Sequence, residues 1–509
     1  MLDNTTFDYV IVGAGASGCV LANRLSASTA TRVLLLEAGG PDAISTFADP
    51  GGFVELWGSD ADWLINTEPQ SGLGGRQILI NQGKVVGGST SLNAMMWVRG
   101  NRRNYDEWAA RGNPGWSYEE VLPYFKKIED YEGGASEFHG AGGPISVRDC
   151  PDRLARSEEF MAGATELGYD GPFWDTNGAR QENGAGLLQF SITRDGRRAS
   201  ASQGYLDPIR SRPNLVVTLN AEVTRVLFQG TRVTGIEFVQ QGQTRRVRVA
   251  REAILSAGAF QSPKLLMLSG IGPADYLRSL AIEPVVDLPG VGANLQDHLQ
   301  LPVVYRSKIE RPMTTALTGN VLFVRTREER KSASPDLQLN FSPSLPAPLS
   351  KMLNFGGPVV IFLPILVQPD STGTVKLRSA NPLDPPLVNP NYLQQAADAR
   401  VLTRAVSLIR QLAQTSAFRD LNGGEIFPGE GAELESFARA QCSTLWHPAG
   451  TCQMGEGHDA VVDPELRVRG VDGLRVADAS VMPRIPSGNT QAGCFMIGEK
   501  LADMILASQ

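Results

Sequence analysis

At 509 residues the chain exceeds one ordinary hydrophobic core, so two domains are expected. A hydrophobic share of 42%, a charged share of 20% and a net charge of −7, with acids and bases interleaved, describe a globular protein and exclude nucleic-acid binding. Five scattered cysteines without CxxC spacing (Cys19, Cys150, Cys442, Cys452, Cys494) read as reduced small hydrophobes of a cytoplasmic protein, and with four histidines they offer no metal cluster.

The start, Met1 to Asp8, has neither the basic nor the apolar stretch of a secretory signal. Asp8–Val12 reads as a buried strand and leads into Gly13-Ala14-Gly15-Ala16-Ser17-Gly18. Helical spacing follows over Ser17–Ser26, then a second strand, Arg32–Gly39, carrying Glu37. This βαβ pattern predicts a dinucleotide site. Gly13 permits the tight turn, Gly15 the approach of a pyrophosphate and Gly18 close helix–strand packing, with the helix N–H groups facing the phosphates. Glu37 is placed to accept the ribose hydroxyls of an adenosine.

Gly83–Asn93 is rich in glycine and hydroxyls and runs into apolar Ala94–Val98, which suits a buried loop around a second part of the cofactor. His139 and His458 lie in glycine-rich loops and read as surface residues. Leu215–Leu219, the stretch to Val239 and Arg245–Val249 alternate like antiparallel strands around Gly230 and Gly242, with Arg245, Arg246 and Arg248 on a solvated face. Glu252–Gly258 reads as a buried strand before a helix over Ser262–Leu268, with Pro263 early in it. His298, after Asp297, is expected to hold a structural hydrogen bond. Residues 301–440 are richer in proline and read as substrate-facing, with a mobile loop near 342–356 and Phe323, Phe341, Phe355 and Phe362 in the core. Val359–Val367, broken by Pro364, is far below the roughly 20 residues needed to span a bilayer and reads as a buried strand. Near the end stand His447, in Leu445-Trp446-His447-Pro448, and Asn489, in Ser487-Gly488-Asn489-Thr490. An imidazole and an amide brought together over a redox cofactor suit removing a proton from an alcohol as its hydride leaves. Imidazole can be a neutral base at pH 7, and an amide donor stabilises the developing alkoxide. Pro448 biases His447 toward extended backbone.

Together these segments resemble the glucose–methanol–choline (GMC) family of FAD-dependent oxidoreductases. The likeness rests on Gly83–Asp106 with Gly87-Gly88-Ser89-Thr90, Asn93 and Gly100, on Gly258-Ala259-Phe260-Gln261-Ser262-Pro263 through Ser269-Gly270-Ile271-Gly272, on Asn294–His298, and on the His-Pro and Gly-Asn-Thr segments. The resemblance implies a discontinuous α/β FAD-binding domain of Rossmann type (1–150, 205–300 and 441–509). It also implies an α+β substrate domain (151–204 and 301–440) whose antiparallel sheet covers the flavin. By position, Gly13, Gly15, Ala16, Ser17, Glu37 and Ala38 would hold the ADP half, and Val223 would meet the adenine through its backbone. Trp63, Val86, Gly88, Ser89, Asn93, Ala94, Met95 and Met96 would follow the pyrophosphate, ribityl chain and flavin edge. Ala257, Asp478, Ala479 and Thr490 would complete the cofactor site, and Trp446 would flank the flavin or substrate. Leu92 stands where covalent members carry a histidine, so FAD is expected to bind without a covalent link. The implied activity is oxidation of a primary alcohol to an aldehyde, with His447 as base and Asn489 on the alkoxide. An apolar or aromatic alcohol is preferred, because no acidic or aromatic cage is evident and Leu339-Asn340-Phe341 lacks a histidine. A lyase on the same scaffold (cyanohydrin cleavage or light-driven fatty-acid decarboxylation) and a choline dehydrogenase stay open, as do oxygen or another electron acceptor, and monomer or homodimer.

Overall fold

The computed structural model describes residues 3–171, 174–327 and 333–508. Its first strand, β1 (Thr6–Val12), is buried through Tyr9–Val12, as an inner strand of a parallel sheet requires. Helix α1 (Ala16–Leu25) carries the chain to β2 (Val33–Leu36), which pairs with β1 in parallel. β3 (Leu215–Thr218) then joins β2, also in parallel. This corrects the antiparallel expectation for that segment: its Val216 and Val217 extend the β2 edge rather than the hairpins that follow. Those hairpins form as expected around Gly230 and Gly242, linking β4 (Ala221–Gln229), β5 (Arg232–Gln240) and β6 (Gln243–Leu255). The sheet order is β4–β5–β6–β1–β2–β3. Along β6, Val247 and Val249 are buried while Arg246 and Arg248 face solvent.

Helix α2 (Gly258–Leu268) starts earlier than its sequence suggests, so Pro263 lies inside it. A proline there removes the N–H that would bond the carbonyl of Ala259. The hydroxyl of Thr451 donates to that carbonyl instead at 2.6 Å, which ties the C-terminal segment to α2.

A second, antiparallel sheet follows, built from β7 (Leu299–Gln300), β8 (Val303–Ser307), β9 (Asn320–Val324), β10 (Leu337–Ser342), β11 (Val359–Leu366), β12 (Asn422–Phe427) and β13 (Ser443–Thr444). Its order is β12–β8–β11–β10–β9, closed by the short strand Ala185–Leu187, while β7 bridges β11 and β13. Side chains alternate along these strands. Leu339, Phe341 and Phe362 pack on helix α3 (Ala396–Gln414), whereas Phe323 meets Met95 and Met96, and Ile365 and Val367 meet Leu445 and Trp446. One face is thus core and the other borders the cavity described below. Phe355 departs from expectation, being half-buried beside a small satellite cluster. The segment 342–356, expected as a loop, contains a helix over Ala347–Met352. The chain returns to the first sheet through β14 (Leu474–Val476), parallel to β6, and ends in α4 (Thr490–Ala507). Among the described residues, no helix is long and apolar enough to cross a membrane.

His139 is the clearest correction. It is buried, stacked on Tyr131 at 4.0 Å, with Nδ1 3.1 Å from Glu129 and Nε2 3.0 Å from Asp175. The glycines around it serve packing rather than exposure: a side chain on Gly140 would lie 1.8 Å from the Lys126 carbonyl. Arg99 forms a fully buried ion pair with the same Glu129. Burial alone would raise the Glu129 carboxyl, but the positive charge of Arg99 and hydrogen bonds from His139 and Arg99 prevail and hold it at about 2. Glu129→Gln strands a buried guanidinium and is expected to cost about 3–5 kcal/mol in denaturant unfolding at neutral pH. Because the folded value is depressed, the parent's contribution from this group is full above its ordinary 4.5 and is lost as pH falls toward about 2; Glu129→Gln should flatten that part of the acid-unfolding profile.

Candidate active site

One cavity runs from the C-terminal ends of β1 and β2 to the antiparallel sheet. Its first end is built by the glycine loop. Gly13, Gly15, Ala16, Ser17, Glu37, Ala38, Val223 and Ala257 all line it. Gly15 has nothing within 4 Å of where a side chain would stand, so the loop presents bare backbone to open space. No side chain caps α1 and no acid lies in its first turn, which leaves its N–H groups and positive dipole end available to an anion. Glu37 accepts the N–H groups of Ala14 at 2.7 Å and Gly39 at 2.8 Å, so it also fixes the loop's shape. Burial raises its carboxyl to about 7 despite those bonds.

The middle is lined by Trp63, Gly88, Ser89, Asn93, Ala94, Met95, Met96, Asp478 and Ala479. Gly88 has φ +56° and sits so close to Gly15 that a side chain would lie 2.8 Å from its Cα, which joins the two glycine turns. Val86 does not line the cavity; it is fully buried in the core beneath that turn. Asp478 accepts from the Gly258 N–H at 2.9 Å and the Ser262 hydroxyl at 2.6 Å, so it anchors β14 to α2. Leu92 lines the wall.

At the far end, Trp446, His447, Asn489 and Thr490 meet. Asn489 is the N-cap residue of α4, but its side chain does not cap the helix. Its amide nitrogen lies 3.2 Å from His447 Nε2, and its buried carbonyl oxygen has no partner among the described residues. The His447 backbone N–H donates to Asp297 at 2.8 Å; Asp297 in turn accepts the hydroxyls of Tyr392 (2.5 Å) and Thr444 (2.6 Å). Burial pushes the Asp297 carboxyl up to about 6. On its other edge His447 Nδ1 meets His298 Nδ1 at 3.0 Å, the rings crossing at 84°. His298 does hold a hydrogen bond, as expected, and it is one to the candidate base.

This geometry selects one tautomer. An amide N–H of Asn489 donating to Nε2 leaves the His447 proton on Nδ1, where it donates to His298 Nδ1. The His298 proton then sits on Nε2, beside the carbonyls of Val367 and Pro486. Burial drives His447 down to about 3; burial and the adjacent His447 drive His298 well below the usual range. Both rings are neutral, and the His447 Nε2 lone pair, which accepts the Asn489 amide, lies at the cavity wall.

Sequence reading missed Trp57, whose ring lies 4.6 Å from that of Trp446, and Leu317, both lining the far end. Neither sits in a motif; only the fold brings them there. Trp446 adopts φ +62°, costly for a bulky residue, and its N–H is held by Thr444 at 2.7 Å. Among the described lining residues the carboxylates are Glu37, Glu222 and Asp478, none belonging to the segments around His447 and Asn489.

Residues 7–300 and 369–498 match the N-terminal and C-terminal parts of the GMC oxidoreductase family. The chain is 42% identical to a GMC-type oxidoreductase of Mycobacterium tuberculosis, over 99% of each protein. It is 39% identical to mitochondrial choline dehydrogenase of Homo sapiens, over 98% of this chain and 89% of that protein. Pyridoxine 4-oxidase from Mesorbium loti superposes with a TM-score of 0.91 at 31% identity, covering 98% of this chain and 99% of that one.

With four histidines in the chain, imidazole nitrogen NMR can test the tautomer directly. His447 and His298 are expected as neutral rings protonated on Nδ1 and Nε2 respectively, unchanged between about pH 8 and about pH 5. A charged ring at either position in that window would contradict the arrangement.

Proposed function

The chain belongs to the GMC oxidoreductase family and is an FAD-dependent oxidoreductase acting on CH–OH groups, and we propose that it oxidises a neutral, apolar or aromatic primary alcohol to the aldehyde with His447 as base. The observation that carries this is the contact of His447 Nε2 with the Asn489 amide at the edge of the cavity. Bound FAD supplies the ring that accepts a hydride equivalent. Residues 1–150, 205–300 and 441–509 would hold it, with the glycine loop and α1 at its phosphates and residues 88–96 along its length. The open space at Gly15 and the uncapped α1 support that fit. Leu92 has no nucleophile, so the cofactor would be held without a covalent bond.

An alcohol hydroxyl entering between the two groups would displace the Asn489 N–H from His447 Nε2 and donate its own proton there. The second N–H of Asn489 would then point at the oxygen as negative charge develops there, a contribution of about 2–4 kcal/mol to the barrier. Asp297 holds the His447 backbone and His298 holds Nδ1, so the lone pair keeps its aim. Trp57, Trp446, Leu317, Leu445, Met95 and Met96 would exclude water and present apolar surface to the alcohol's substituent. Residues 151–204 and 301–440 would form the substrate side.

Choline is the second reading. The Trp57 and Trp446 faces can attract a quaternary ammonium, and the human choline dehydrogenase is among the relatives. Benzyl alcohol and choline compared under anaerobic conditions separate the two by which one bleaches the flavin at lower concentration. His447→Ala is expected to keep its yellow colour and lose about a hundredfold or more in the rate of that bleaching, and Asn489→Ala about tenfold to a hundredfold. A rate for His447→Ala within about tenfold of the parent would remove His447 from the chemistry. Acid precipitation should release all of the flavin into the supernatant; colour remaining in the pellet would refute non-covalent binding.

A further inference from the structure

Four arginines are buried almost completely: Arg99, Arg198, Arg327 and Arg475. Arg99 faces Glu129, Arg327 faces Asp370 and Asp398, and Arg475 faces Glu252. Arg198, at 3% exposure, forms no ion pair among the described residues. Its Nε donates to the Phe47 carbonyl at 2.9 Å. Its Nη1 donates to the carbonyls of Thr90 (3.2 Å) and Asn93 (2.6 Å) and to the Asn93 side-chain oxygen (2.9 Å). Its Nη2 is buried and has no partner among the described residues. Asp49, the acid that acts on it, is exposed and accepts the Gly51 N–H. Burial lowers the guanidinium to about 9, a large departure for a group that is ordinarily never neutral.

The three acceptors on Nη1 belong to the turn that lines the middle of the cavity. With its oxygen held by Arg198 and by the Met95 N–H at 3.0 Å, the Asn93 amide directs its NH2 to Gln491, which bonds Ser191 at 3.0 Å. Gln491 stands two residues past Asn489, in the first turn of α4. The guanidinium therefore braces the turn in the middle of the cavity directly and, through Asn93, the first turn of α4. Near that end the two histidines are neutral, and Glu37, Glu222, Lys264 and Asp478 line the cavity from the segments of the first sheet and its connections.

A lone buried cation is unfavourable unless something answers it. FAD brings two phosphate charges, and its ring gains a further negative charge when it accepts a hydride equivalent. We propose that Arg198 is a positioning residue whose unpaired positive charge answers the charge of the bound cofactor and raises the flavin's reduction potential. This rests on FAD filling the cavity, and not on which alcohol is oxidised.

The test compares Arg198→Gln and Arg198→Lys with the parent holoenzyme, reading the flavin midpoint potential by dye-equilibrated reduction, the FAD dissociation constant and the melting temperature of the cofactor-free protein. Arg198→Gln is expected to shift the potential to a more negative value and to weaken FAD about tenfold. Arg198→Lys, which keeps the charge but not the planar fork, should melt lower yet retain the parental potential. A parental potential in Arg198→Gln overturns the proposal. Should Arg198→Gln fail to hold FAD, the lysine variant decides alone: a parental potential upholds the proposal, and a clear negative shift overturns it. Were His447→Ala to keep its alcohol activity, the alcohol chemistry would fall while these potentials still stood.

Discussion

The site exists because the last helix packs directly on the first. Ser17, one residue into α1, donates its hydroxyl to the Cys494 carbonyl of α4 at 2.7 Å, across 477 positions of sequence. One turn on, Gly498 brings the helices so close that any side chain would lie 3.0 Å from the Ser17 Cα. Beyond it, the fully buried Glu499 takes Arg24 at 2.6 Å, Lys127 at 3.0 Å and the hydroxyl of Tyr205 at 2.8 Å. A buried carboxylate with three partners is costly to disturb, because removing any one leaves charge unanswered. The glycine loop precedes α1 and Asn489 precedes α4, so this packing sets the distance between the two ends of the cavity.

From that frame the electrostatics of the base follow. Two imidazoles in contact cannot both be charged, and burial opposes charging either one. The pair resolves into a directed row of single protons, with the Asn489 amide at one end and the carbonyls of Val367 and Pro486 beside the other. Such a base is weak in the equilibrium sense, at about 3 for His447. Its value would lie in aim and constancy: the lone pair stays unprotonated at all ordinary pH values and is held in one direction. In the proposed reaction, proton removal by so weak a base would become favourable only as charge is drawn away from the alcohol carbon, which would couple the two halves of the oxidation.

Much of this was legible in the sequence, and the reason is local. The glycine turns, Glu37, the 83–93 loop, His447 and Asn489 each need a particular residue at a particular spacing, and the structure brings these segments to one cavity. What stayed hidden depends on long-range packing. Trp57 reaches Trp446 across 389 positions with no motif around it. His139 looked exposed because glycines usually mark surface turns, yet these glycines let the loop close over the Arg99–Glu129 pair. Leu215–Thr218 looked like its antiparallel neighbours because alternation is the same for either partner direction; only the free edge of β2 decides it. Val86, placed on the cofactor by position, is core because its neighbours in the turn, not it, face the opening.

Charge is distributed unevenly along the cavity. Every lining carboxylate is contributed by the first sheet or its connections, and two of the three are tied to backbone N–H groups that shape the loops. The opposite end is walled by tryptophan, leucine and methionine, with histidines that burial keeps neutral. A cationic substituent entering there would meet aromatic faces but no counter-ion, and an anionic one would meet apolar walls. Asp297, which holds the His447 backbone, and Arg198, which is spent on carbonyls of the 88–93 turn, both lie behind the lining residues rather than exposed to a substrate. Under the proposed reading, recognition at that end would come from shape and apolar surface. That division fits the proposed reaction, in which the alcohol's proton would pass to His447 and bound FAD would supply the hydride acceptor.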